Sequence, residues 1–276
     1  LESGLTDGVR YWWSQHDVGR GGQPWFFYLA VYAAYEWLLI GLAFLGLAVT
    51  VRRRSVVGAW FATMGLGQVV VYAWAGEKFA WLALHPLIPL TLLGGLGAQA
   101  ACDRLGHRPR VRTGAAVSFA LLATLTLVVA IPPAITRGAD PRELLVTVQT
   151  SVDVPPIAAR LRAEVDAGTI DSIVVDQAGG GSWPWAWYLH GVDGVAYANV
   201  DQDDLPLEAD VIIVLAYEYP PEVPDGYRVE RFRLREWWVP DYADATPGDL
   251  LRWLLTRDPW SPTASSDQFL ITRPHR

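Results

Sequence analysis

The chain has 276 residues, of which 51% are hydrophobic and only 18% charged, against about 25% charge in an ordinary soluble domain. The charge is also unevenly placed: residues 1–137 carry eleven basic and six acidic side chains, net +5, while residues 138–276 carry eleven basic and 23 acidic ones, net −12. This pattern excludes a single soluble globule, a disordered chain and a nucleic-acid binder, which would need a basic face.

The first half contains four long stretches almost free of charge. Residues 25–51 hold one ionisable group, Glu36; residues 55–76 hold none; residues 79–102 hold only His85; and residues 113–136 hold none. About 20 apolar residues cross a bilayer core, and these stretches lack the polar face of a helix lying on a soluble core. Spans are therefore expected near 25–51, 55–76, 82–102 and 113–133. Pro86 and Pro89 break the backbone ladder at the entry to the third span, so its regular helix is expected from Leu90 to Ala101. Gly94, Gly95 and Gly97 in that helix permit close helix packing.

The loops orient the spans. Arg52, Arg53 and Arg54 follow the first span, and Arg104, Arg108, Arg110 and Arg112 follow the third. The positive-inside rule puts both loops in the cytoplasm. Residues 1–24, the Glu77-Lys78 turn and the acidic half then face outside.

After Pro132-Pro133 and Gly138 the chain changes character. Strands are expected at Leu144–Thr150, Ile170–Asp176, Val195–Asn199, Val211–Tyr217 and Gln268–Thr272, with helices at Val154–Ala167 and Leu250–Thr256. The fold class is thus a membrane α-helical bundle over 1–137 followed by a small external α/β domain over 138–276.

Three groups of residues are chemically suggestive. The first is Gln15, His16, Asp17 and Arg20, set among glycines that permit tight turns; Arg20 with backbone amides suits a phosphate, and ordinary loop structure is the competing reading. The neighbouring Trp12, Trp13 and Trp25 suit a membrane interface. The second is Glu77 and Lys78 with His85 downstream. Lys78 is the single lysine beside 21 arginines. It either snorkels to headgroups or meets a lipid phosphate. Glu36 sits about three turns into an apolar stretch, which marks a site, a wet cavity or a pair within the bundle. The third follows a strand: Asp176-Gln177-Ala178-Gly179-Gly180-Gly181-Ser182, then Trp183, Trp185 and Trp187. The glycine loop lacks dinucleotide and Walker patterns. The tryptophans either stack on sugar rings or pack in a core. Asp201, Asp203 and Asp204 lack the glycine and distal glutamate of a calcium loop. The lone Cys102 excludes a disulfide framework and a cysteine zinc site.

The run Tyr11-Trp12-Trp13-Ser14-Gln15-His16-Asp17-Val18-Gly19-Arg20-Gly21-Gly22-Gln23-Pro24-Trp25-Phe26-Phe27-Tyr28, then Tyr35-Glu36-Trp37, then Ala75-Gly76-Glu77-Lys78-Phe79-Ala80-Trp81-Leu82-Ala83-Leu84-His85, resembles a family of prokaryotic integral membrane proteins. These are described as flippase-activity-associated and belong to the GT-C superfamily of glycosyltransferases. Gln23 to Tyr28, and Lys78 followed by Pro86 and Pro89, are more distantly similar to segments of protein O-mannosyltransferases and lipid A aminoarabinose transferases.

The resemblance implies a transferase in the cytoplasmic membrane of a prokaryote, moving a sugar from a polyprenyl-phosphate carrier to a glycan or protein acceptor at the outer face. It implies that Lys78, Arg20 and His85 hold the donor phosphate. Gln15, His16, Asp17, Glu36, Glu77, Trp183, Trp185 and Trp187 are the further candidates for substrate contact. In that superfamily the catalytic acid lies in the first external loop near the protein's start. No such loop precedes these segments here, and the chain opens Leu-Glu-Ser rather than with Met. It therefore reads as the C-terminal portion of a longer protein, with its catalytic residue unassigned. No tightly bound cofactor is expected, and a divalent metal is left open. The alternative is a non-catalytic accessory protein for lipid-linked sugar translocation or cell-surface glycan assembly.

Overall fold

The apolar stretches of the first half all become helices. The computed structural model describes residues 2–14, 19–105 and 109–274, without the side chains of Glu2, Ser3 and Trp12. Gln15, His16 and Asp17, and Arg108 of the second arginine loop, lie outside the described residues. The chain forms two compact units: Leu1–Gly138 with Arg142–Thr147 and Val239–Pro262, and Ala139–Pro141 with Val148–Trp238 and Thr263–Arg276. The C-terminal half of the sequence, read above as one block from residue 138, thus contributes segments to both.

The first unit is helical. It contains α1 (Glu2–Ser14), α2 (Phe27–Tyr35), α3 (Trp37–Arg53), α4 (Val56–Trp74), a 3-10 turn (Ala80–Ala83) leading into α5 (Leu84–Leu105), and α6 (Pro109–Ile135). Val56–Trp74, Ala80–Leu105 and Pro109–Ile135 are long and apolar enough to cross a membrane, and a fourth span is present if α2 and α3 are counted as one.

Those two helices, which occupy the stretch expected as a span over 25–51, are bent by 105°. The break falls on Glu36, at φ −123° and ψ 20°. Its N–H still donates to the Tyr32 carbonyl and its own carbonyl already accepts from Ile40 N, both at 2.9 Å, so one residue closes α2 and opens α3. In the third span, α5 begins at Leu84, six residues before the regular helix expected from Leu90. Pro86 falls in its first turn, where no backbone donor is needed, and the helix continues past the buried Pro89.

Small residues set the helix spacing. A Cβ on Gly46 of α3 would lie 1.9 Å from the Leu93 carbonyl oxygen, and one on Gly97 of α5 would lie 2.5 Å from that of Leu42. The two backbones touch there, as in membrane helix pairs. Gly94 shares this contact, whereas Gly95 faces open space. Arg53 and Asp103 meet at 4.0 Å, so both arginine-bearing turns lie at one end of the bundle. No side chain of α6 is buried.

In the second unit, five strands form one sheet: β1 (Ile173–Asp176), β2 (Val195–Ala198), β3 (Val211–Leu215), β4 (Arg228–Trp237) and β5 (Ala264–Thr272), in the order β2-β1-β3-β5-β4. β2, β1 and β3 are parallel, and β5 is antiparallel to β3 and β4. Alternation divides the strands between two cores. Ile173, Val175, Val211, Ile213 and Leu270 pack against α7 (Val154–Asp166) and α8 (Trp183–Tyr188). Ile212, Val214, Phe269 and Ile271 form the opposite layer.

Two strand expectations are corrected. Leu144–Thr150 forms turns, one closed by Val146 N donating to the Glu143 carbonyl at 3.0 Å, and Thr150 makes an isolated bridge to Arg235. β4 is unanticipated. Its many arginines hide the buried pair Phe232 and Leu234, and such charge is usual on an edge strand. The last helix, α9 (Pro247–Thr256), belongs to the helical unit.

Candidate functional site

The structure joins Arg20 of the first suggestive group to Glu77 and Lys78 of the second. Arg20 and Glu77 form a parallel bridge, with Arg20 N donating to the Gly76 carbonyl at 3.3 Å and Lys78 N to the Arg20 carbonyl at 2.9 Å. Gly21 makes this possible. Its φ is +87°, and a Cβ there would lie 2.5 Å from the Lys78 carbonyl oxygen, so only glycine fits.

The two cations differ in exposure. Arg20 is exposed. Lys78 is only 4% exposed, and its ammonium donates to the carbonyl of Ala75, the C-cap of α4. A cation is favoured at that end of a helix. Burial pulls the Lys78 ammonium down from its ordinary value. As folded, Lys78 is enclosed rather than snorkelling to headgroups: its ammonium ties the Glu77-Lys78 segment to the end of α4, and its backbone N–H holds Arg20.

Around this bridge lies a tyrosine-rich shell. Tyr28 donates to the Phe79 carbonyl at 3.4 Å and Tyr32 to that of Ala83 at 2.9 Å. The Tyr72 hydroxyl and His85 Nδ1 are 2.7 Å apart, so His85 is engaged by a neighbouring span while its residue remains exposed. Beside the same helices runs an apolar cavity of about 500 Å³, lined by Leu29, Tyr32, Trp37, Phe44, Leu66 and Leu90 among others. Glu36 is half-buried at the α2–α3 break, one residue from the lining Trp37.

The third group is divided by the second unit's own packing. Trp185 is fully buried, and its indole N–H donates to Gln268 Oε1 at 2.7 Å. It is core and cannot stack on a sugar, which corrects its candidacy for substrate contact. Trp183 and Trp187 are 74% and 79% exposed. Asp176 ends β1 and is buried, its Oδ1 accepting from Ala178 N at 2.9 Å and Val200 N at 3.2 Å. It shares a cleft of about 580 Å³ with Asn199, Asp201, Gln202, Asp203 and Tyr217. That cleft lies beyond the carboxyl ends of β1, β2 and β3, where the strand order reverses across β1, the usual ligand position in open α/β sheets. Among the described residues no three His, Cys, Asp or Glu side chains are grouped to hold a metal ion.

One buried polar cluster had no signal in the sequence. Glu143 is 0% exposed and accepts from Tyr35 at 2.6 Å, from Arg257 Nε at 3.0 Å and from Arg137 at 3.1 Å. Arg257 sits in the left-handed region at φ 61° as the C-cap of α9, a position where glycine is usual. Its guanidinium also donates to the carbonyls of Trp253 and Leu254 at 3.2 and 3.1 Å, closing the end of the helix. Tyr35, Glu143 and Arg257 are over a hundred positions apart, so no local pattern links them.

Comparison of the chain with protein-family models, with curated proteins and with solved structures finds no match.

Proposed function

We propose that this chain is part of a membrane glycosyltransferase of the GT-C type, using a polyprenyl-phosphate-linked sugar at the outer face of a prokaryotic cytoplasmic membrane. The observation that carries the reading is the bridge between Arg20 and Glu77-Lys78. It sets an exposed arginine on an anchored loop segment of the same helical unit as an apolar cavity of about 500 Å³. A polyprenyl phosphate needs this pairing of chemistries, with an apolar path for its tail and a cation for its headgroup. Arg20 suits a phosphate because its donors are planar and bidentate, and it would stabilise the leaving phosphate as the sugar departs. Lys78 and Gly21 are positioning residues. The reaction also needs a general base to deprotonate the acceptor hydroxyl, and no residue of this chain is assigned to that role. The arginine turns at the opposite end of the bundle support a cytoplasmic assignment for that end.

The test is sugar transfer in membranes containing the intact protein, read together with retention of polyprenyl phosphate and of the uncharged polyprenol. Arg20→Ala is expected to lose transfer and phosphate retention while polyprenol retention persists. Full transfer and full retention in Arg20→Ala would overturn the reading. Normal transfer with lost translocation of the lipid-linked sugar would identify an accessory protein instead.

A further inference from the structure

We infer that α9 is an interfacial membrane helix, laying a leucine face into the headgroup–acyl boundary at the end of the bundle opposite the arginine turns. The inference rests on the membrane reading of the helical unit and concerns a surface that this reading leaves unexplained. Leu250, Leu251, Leu254 and Leu255 are 41%, 58%, 43% and 76% exposed. At 3.6 residues per turn they occupy an arc of about 140° on one side of the helix. The adjoining side carries Trp253 and Arg257, which are buried in the helical unit. The third side is polar, with Asp249 and Arg252 paired at 2.7 Å. Such a helix, apolar on one face and charged on another, lies along an interface rather than across it.

The position of α9 specifies the occupant. Its Trp253 indole donates to the Arg142 carbonyl at 2.9 Å, and its C-cap Arg257 holds Glu143, which Tyr35 also holds. Tyr35 is the residue before the Glu36 break. From that break α3 runs 17 residues to Arg53, about 26 Å at 1.5 Å per residue. That rise is close to the roughly 30 Å of a bilayer's hydrocarbon core. With the arginines at one boundary, Tyr35, and α9 with it, stands at the other. The capping box of Thr246 and Asp249 and the proline at its first position fix the helix before any lipid is met, so the leucine face is preformed. The bilayer is thus the surface that covers it.

The experiment uses the full chain with Cys102→Ser, reconstituted in phosphatidylcholine–phosphatidylglycerol vesicles. A polarity-sensitive NBD label is placed singly at Leu251→Cys, Leu255→Cys, Arg252→Cys and, on α6, Leu121→Cys. Labels at 251 and 255 are expected to emit blue-shifted light. They should be quenched more strongly by a lipid nitroxide near the headgroup than by one near the acyl terminus, with the label at 252 emitting as in water. Lipid-like emission at 121 with water-like emission at 251 and 255 overturns the inference and leaves the membrane reading standing. Blue-shifted labels at 251 and 255 that no lipid nitroxide quenches overturn it in favour of a protein partner. Water-like emission at 121 removes the membrane reading and this inference together.

Discussion

The Tyr35 hydroxyl donates to the Glu143 carboxylate at 2.6 Å across 108 positions of sequence, and both side chains are buried. With Arg257 and Arg137 on the same carboxylate, this contact ties the 142–147 and 239–262 segments to the helices of the first unit. Removing one partner of a buried, hydrogen-bonded ion pair leaves an uncompensated charge, at a cost of about 3–5 kcal/mol. Glu143→Ala is therefore expected to lower thermal stability sharply and to open residues 239–262 to protease. Tyr35→Phe, which removes this hydrogen bond and the one its hydroxyl accepts from Leu144 N but leaves the ion pairs, should cost about 1–3 kcal/mol. Melting and limited proteolysis in detergent check both. Equal melting of Glu143→Ala and the parent would show that the cluster does not hold the segment.

Lys78 is a buried cation whose protonated form is disfavoured by folding, so its folded value lies below its ordinary 10.5. Between that lowered value and 10.5 the unfolded chain binds more protons. Stability contributed by this group therefore rises with pH through the window. Lys78→Met should flatten the pH dependence of melting just below pH 10.5 relative to the parent. An unchanged slope would mean that the ammonium is solvated.

Tyr242 packs edge-on against Phe26, ring centres 4.9 Å apart, and its hydroxyl is buried with no hydrogen-bond partner among the described residues. Burial pushes its ionisation up from 10.0 to about 12. The unfolded chain thus releases this proton first, and stability falls as pH rises from 10 towards 12. Tyr242→Phe removes an unsatisfied group, is expected to stabilise by about 1 kcal/mol, and should reduce the loss at high pH. A destabilised Phe variant would reveal a partner for the hydroxyl.

Gly46 allows α3 to touch the backbone of α5. Gly46→Ala forces a methyl group into the Leu93 carbonyl and should cost about 1–3 kcal/mol as the helices move apart. Gly95→Ala, with open space at its Cβ, should be close to neutral. Comparative melting checks the pair, and equal melting of the two variants would show that the backbones of α3 and α5 do not touch at Gly46.

The tryptophans of α8 separate by role. Trp185→Ala should cost about 3–5 kcal/mol, as for a large core side chain. Trp183→Ala and Trp187→Ala, on exposed positions, should stay within about 0.5 kcal/mol. Circular-dichroism melts check this directly. A large loss in either exposed variant would show that its ring is covered.

Several features were legible because their cause is local. Uncharged runs long enough to cross a bilayer became helices. The continuous apolar run Val211–Leu215 became a strand buried on both faces, as parallel strands are. Pro155 and Pro156 at the start of α7, and Gly168 just beyond its end, marked that helix correctly. β4 was not legible, because its alternating arginines outweigh the two buried residues that make it a strand.

By itself, then, the sequence determined which segments are apolar, roughly where the apolar helices and several strands lie, and that Arg20 and Lys78 are unusual cations in a glycine-rich, aromatic setting. Hydropathy and backbone preference act over a few residues, so they can be read in order along the chain. Tertiary structure alone decided that Lys78 is enclosed while Arg20 is exposed, that Trp185 is core and its neighbours are not, and that Glu143 joins Tyr35 to Arg257. Burial and pairing are properties of what lies opposite a side chain, and the partner 108 residues away has no trace in the local pattern.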